Sequence, residues 1–164
     1  MMNSANNLTG DLMLVLHCHL PFVRHPEYEN FLEERWLFEA ITETYLPIVS
    51  NMQNWENEGI PYKITLNVSP PLCAMLNDQM LQERYRKYLN DLIQLSEQEI
   101  DRTRNEEQFN NNAKFYHWFF SESFRKAESY NWNLLTPLRE LYHKGNLEII
   151  TCCATHGFLP LLQS

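Results

Sequence analysis

The sequence predicts an α/β fold in which helices cross over between parallel strands. Three short apolar runs, at 12–16, 62–68 and 147–153, are separated by segments whose apolar residues recur at helical spacing. That alternation implies right-handed crossovers and a parallel sheet. Three strands cannot close a barrel, which takes about eight when side chains fill the interior. The last run finishes shortly before Ser164, so the architecture reads as one cut off before a fourth strand.

Taken in order, residues 1–10 are polar and read as a disordered lead-in. Residues 12–16 are apolar without interruption, as in a central strand covered on both faces. Pro21 and Pro26 make 20–31 a loop. From Glu33 the period becomes helical: Leu37, Ile41, Tyr45, Ile48, Met52 and Trp55 fall on one stripe. Pro47 should kink or divide that helix, and Gly59 and Pro61 end it. Residues 62–68 alternate Ile64, Leu66 and Val68 against Lys63, Thr65 and Asn67, a second strand closed by Ser69-Pro70-Pro71. Leu81, Tyr85, Leu89, Leu92 and Leu95 mark a long helix. The acidic, asparagine-rich 105–112 reads as a solvated loop, and Ala113, Tyr116, Phe120, Phe124 and Ala127 as the next helix. A shorter helix over 133–143 stops at Gly145, before a third buried strand at 147–153.

Composition excludes several function classes. With 44% hydrophobic and 13% aromatic residues the chain can build a core. Its 13 basic against 21 acidic side chains give a net charge of −8, which argues against nucleic acid and against an anionic membrane surface. No run approaches the roughly 20 apolar residues of a membrane span, and the first ten residues lack an export signal, so the expected compartment is cytoplasmic. Cys18, Cys73, Cys152 and Cys153 have neither disulfide-framework nor zinc-ribbon spacing and read as small core residues.

Ligands of open parallel sheets and barrels bind at the carboxyl ends of the strands. His17 and His19 follow the first run, Asn67 and Ser69 close the second, and Thr155 and His156 follow the third. Three of the six histidines therefore converge on one edge. A His-x-His pair can share a divalent ion, but no carboxylate stands at the ends of the second or third strand to complete the set. No metal is expected; a small metal-dependent hydrolase using His17 and His19 is the alternative. Glu33 and Glu34 suit the positive end of the first helix. Glu39 lies three residues after Trp36, which either packs within the helix or reaches over the pocket mouth to stack on a sugar ring. Four glycines, none clustered, exclude a phosphate loop, and no nucleophile elbow is present.

The stretch HCHLPFVRHPEYENFLEERWLFEAITETYLPI (17–48) resembles the N-terminal signature of glycoside hydrolase family 57, and most closely its 1,4-alpha-glucan branching enzymes. GNLEIITCCATHGFLPLL (145–162) and YKITLNVSPPLCAMLNDQMLQER (62–84) are similar to the same group. The resemblance runs from about residue 11 to Ser164. It implies the N-terminal portion of a partial (β/α)7 barrel, its first three parallel strands with crossover helices, truncated before the fourth strand. It also implies retaining transfer of alpha-glucan chains in glycogen biosynthesis, which uses two carboxyl groups about 5–5.5 Å apart.

In the family the nucleophile is a glutamate within a Trp-Leu-Pro-Glu-like motif and the acid/base a later aspartate. Neither motif occurs in the 164 residues. No catalytic residue is therefore expected in this chain, and both carboxyl groups are expected downstream of Ser164. The resemblance places His17, His19 and His156 around the sugar being transferred, Trp36 at the mouth of the site, and Glu39 in a matching stretch. It implies no cofactor and an alpha-glucan substrate, with the missing C-terminal part as a candidate partner chain. A non-catalytic glucan-binding or complementing subunit is the competing reading. An unclosed sheet would also leave the isolated chain poorly soluble.

Overall fold

The computed structural model describes residue 10, residues 12–150 and residues 152–161. Apart from Gly10, the expected lead-in lies outside the described residues. So does Ser164, the point beyond which the catalytic pair is expected. Among the described residues, three parallel strands form one sheet in the order β1 (Val15–Cys18), β2 (Ile64–Val68), β3 (Leu147–Ile150). Six α-helices accompany it there: α1 (Leu32–Ala40), α2 (Leu46–Asn57), α3 (Pro70–Leu76), α4 (Gln79–Arg102), α5 (Glu107–Ser129) and α6 (Leu135–His143). Helix, strand and parallel crossover follow the sequence expectation.

The central strand is the one the pattern locates best. β2 has a neighbour on each side, and Ile64, Thr65, Leu66 and Asn67 are all buried. Its apolar set, Ile64 and Leu66, joins Leu37, Val49, Met52, Leu72, Met75, Leu81, Leu89 and Leu141 in the core between sheet and helices. Each such side chain withdrawn from water contributes about 1.5–3 kcal/mol. The opposite face is polar. Register places His17 beside Asn67 and Thr65 beside Glu148, and Thr65 Oγ1 donates to Glu148 Oε2 at 3.2 Å.

The first strand differs from its expected position and burial. It begins at Val15, three residues later than the apolar run, and runs through His17. Leu12, Met13, Leu14 and Val15 are exposed. The run looks like a doubly covered strand because it is apolar throughout, but β1 lies at the side of the sheet and has β2 as its partner. β3 is likewise shorter than expected, ending at Ile150, and only Leu147 of it is buried. Thr151 lies outside the described residues, while Cys152 and Cys153 follow the strand.

Pro47 does divide the first helical stretch. Ile41–Tyr45 is π-helical, and the Leu46 N–H donates to Ile41 O. A proline at the head of α2 has no N–H to continue the regular ladder, and one wider turn absorbs the mismatch. The expected loop at 105–112 is a correction: α5 already begins at Glu107. Asn110 is buried there, and its amide donates to Ile100 O at 2.7 Å and to Thr103 Oγ1 at 3.2 Å, stapling the turn between α4 and α5. Pro70 and Pro71, expected as a sharp stop, occupy the first turn of α3, where their missing N–H groups cost nothing. Cys18 is buried, the other three cysteines are half-buried, and all four are free thiols. Among the described residues no helix is long and apolar enough to cross a membrane.

Candidate functional site

β1 carries two of the three histidines for a simple geometric reason. Side chains alternate along a strand, so His17 and the residue two positions on share the polar face. His17 is the penultimate residue of β1 and His19 the first beyond it. The third, His156, lies beyond β3 in a turn closed by its own N–H bonding to Cys153 O at 2.9 Å. Its φ is +57°, a left-handed conformation that histidine adopts more readily than most residues.

These positions bring the three imidazoles together. The His19 and His156 rings stack with centroids 3.8 Å apart, and those of His17 and His156 are 4.7 Å apart. His17 Nε2 and His156 Nε2 are 3.2 Å apart, so one of them donates a hydrogen bond to the other. His19 Nδ1 lies 2.8 Å from Ser69 Oγ. Burial, then the charges of His156 and His17, hold His19 below the ordinary histidine value of 6.5. His19 therefore stays neutral near pH 7, with one ring nitrogen able to donate and the other to accept.

The sequence places Ser69 at this edge without giving it a part. It is fully buried at the N-cap of α3, and its hydroxyl positions the His19 ring. Only the fold reveals that contact, since 50 residues separate the two. Asn67 is buried below them, its amide donating to Ile150 O at 3.4 Å. Thr155 is exposed.

The loop leaving His19 is tied down at several points. Val23 is buried, and its N–H meets Met75 Sδ at 3.3 Å. Arg24 Nε donates to Asp78 Oδ2 at 2.6 Å, while Asp78 Oδ1 caps α4 through the Leu81 N–H. Glu34 is only 1% exposed and accepts from Arg84 Nη1 at 2.5 Å and from the His25 N–H at 3.1 Å. Arg84 also donates to the carbonyls of His25 and Tyr28. Glu34 thus does more than favour a helix end: with Arg84 it fastens the loop to α1 and α4. A glutamate in a first helical turn gives no sign in sequence that it will be buried.

Trp36 and Glu39 stand outside the imidazole cluster. Trp36 is 47% exposed on α1, and Glu39 lies on the same helix, where its charge helps raise the Tyr88 phenol after the larger effect of burial. Among the described residues no group of three or more His, Cys, Asp or Glu side chains is placed to hold a metal ion.

Comparison with known proteins finds relatives that match nearly the whole chain. The chain is 34% identical over 155 residues to a 1,4-alpha-glucan branching enzyme of Thermococcus kodakarensis, a match covering 94% of this chain and 22% of that protein. It superposes on the alpha-amylase AmyC of Thermotoga maritima with a TM-score of 0.86 and 44% identity, covering 91% of this chain and 28% of the other. For a GH57-type branching enzyme of Pyrococcus horikoshii the TM-score is 0.89 at 31% identity, with 96% of this chain and 29% of the other covered. The chain thus spans between a fifth and a third of the length of these relatives. Residues 13–164 match the family described as glycosyl hydrolase family 57, and the chain belongs to that family.

Proposed function

We propose that this chain forms part of the sugar-binding wall of an alpha-glucan-acting enzyme, with 1,4-alpha-glucan branching as its reaction. The observation that carries the reading is the meeting of His17, His19 and His156 at the carboxyl edge of a parallel sheet. Imidazole ring nitrogens there can hydrogen-bond the hydroxyls of a pyranose, and the neutral His19 ring can both donate and accept. Each such bond contributes about 0.5–1.5 kcal/mol, which suits orientation of a sugar more than tight capture. Residues 11–164 would be the opening portion of an incomplete (β/α)7 barrel, and Trp36 would shield the mouth of the site. Glu39 is the weaker member of the set, since its charge acts on Tyr88 rather than on the imidazoles.

The chemistry would come from two carboxyl groups downstream of Ser164, a glutamate nucleophile and an aspartate acid/base. In a retaining transfer the nucleophile forms a glycosyl-enzyme intermediate, and the 6-hydroxyl of a second chain then takes the glycosyl group in place of water. The histidines would hold the sugar whose anomeric carbon is attacked. A second reading, hydrolysis, is supported by the 44% identity to the alpha-amylase of Thermotoga maritima; it differs in the acceptor and leaves the role of the histidines unchanged. The proposed compartment is cytoplasmic.

Titration of the 15N-labelled chain with maltoheptaose tests the reading. Signals of His17, His19 and His156 should shift, and His17→Ala should weaken binding by about tenfold, as for the loss of one good hydrogen bond. The chain alone should form no alpha-1,6 branches. Branch formation by the purified chain, or no histidine response to saturating maltoheptaose, would overturn the proposal.

A further inference from the structure

A groove between α1 and α4, separate from the imidazole cluster, has the make-up of a saccharide site. Its volume is about 340 Å³, within the range of roughly 300–1,000 Å³ occupied by small-molecule sites. Six charged side chains line it, Arg35, Arg84 and Lys87 against Glu29, Glu34 and Asp91. Three cationic and three anionic groups balance, so neither an anion nor a cation is favoured by the net charge. So many charged groups also disfavour a purely apolar ligand, which would strip water from them without replacing its hydrogen bonds.

The remaining class is neutral, rich in hydroxyls and able to lie against an aromatic ring. Phe31 and Tyr88 supply the rings. Phe31 packs against the rings of His25, at 3.7 Å, and Tyr28, at 5.1 Å. Tyr88 packs against the buried Phe38 at 5.4 Å. Beneath them the Glu34–Arg84 pair fixes the loop backbone. A platform already in place limits the ordering cost of binding. Arg35 and Asp91, both exposed at the rim, have the donors and acceptors that hydroxyl groups require.

We infer that the groove lined by Phe31, Arg35, Tyr88 and Asp91 is a second binding site for an alpha-glucan chain. The choice of an alpha-glucan rests on the proposed function; the choice of a neutral polyhydroxylated ligand does not. Such a site would retain a long polymer near the imidazole cluster by making the second contact intramolecular.

The maltoheptaose titration distinguishes the two claims. Amide signals of 29–38 and 84–91 should shift as a group, with a midpoint different from that of the histidines. Arg35→Gln and Asp91→Asn should each raise the groove midpoint by about tenfold, the scale of one charge-assisted hydrogen bond, and leave the histidine midpoint unchanged. Histidine shifts with a silent groove would overturn the second site alone, as would groove shifts indifferent to both variants. Silence at both places would overturn the second site together with the proposed function.

Discussion

Replacing Glu34 with alanine is the most informative single perturbation of this structure. The carboxylate is almost wholly removed from water, yet it accepts from Arg84 Nη1 and the His25 N–H. Truncation leaves two donors without an acceptor, one of them a guanidinium whose side chain is 20% exposed. Breaking a buried ion pair from one side costs about 3–5 kcal/mol because a charge is left uncompensated. The partial exposure of Arg84 lets water recover some of that, and its bonds to the His25 and Tyr28 carbonyls persist, so Glu34→Ala should cost about 3 kcal/mol. Glu34→Gln keeps one acceptor and the volume, and should cost about 1–2 kcal/mol.

Urea unfolding followed by circular dichroism at pH 7 measures both, provided the slope with denaturant is unchanged. The double variant Glu34→Ala/Arg84→Met removes both charges, so it should be more stable than Glu34→Ala alone. A loss under about 1 kcal/mol for Glu34→Ala, or strict additivity in the double variant, would refute the claim that this pair fastens the loop.

Two further outcomes follow from the imidazole cluster. His19 sits below 6.5 in the folded chain, so between that depressed value and 6.5 the unfolded chain binds more protons. The corresponding stability is present above about pH 6.5 and is lost as pH falls through the folded-state value; the melting temperature should fall in that window, and His19→Gln should flatten the fall. A parent profile flat from about pH 7.5 to 5 would contradict it. Ser69→Ala should cost about 1 kcal/mol, as for one buried hydrogen bond, and change the 15N shifts of the His19 ring, while unchanged ring shifts would remove Ser69 from the site.

How far sequence carries depends on which interactions set each feature. β2 is legible because its alternation and its flanking Ser-Pro-Pro are local and it is covered as a central strand should be. β1 is displaced from its apolar run because an unbroken apolar run reads as a strand covered on both faces, whereas Leu12, Met13, Leu14 and Val15 are exposed and pairing is decided by which backbone groups face β2. The start of α5 is hidden because glutamate and asparagine composition suggests solvent, and nothing local shows that the Asn110 amide will hold the preceding turn. The convergence of His17, His19 and His156 is legible because a parallel sheet brings the carboxyl ends of its strands to one edge. The Ser69 hydroxyl and the Glu34–Arg84 pair are not, since each joins residues 50 positions apart. Trp36 and Glu39, three residues apart on one helix, lie along α1 without entering the cluster.

The contact between His17 and His156 has a consequence for the proton inventory of the site. Two Nε2 atoms 3.2 Å apart can hold only one proton between them. Whichever neutral ring donates, the other must carry its own proton on Nδ1, so the pair exists as opposite tautomers. One edge of one ring is thereby committed as an acceptor and one edge of the other as a donor, and any hydroxyl arriving on the Nδ1 sides meets that polarity already written.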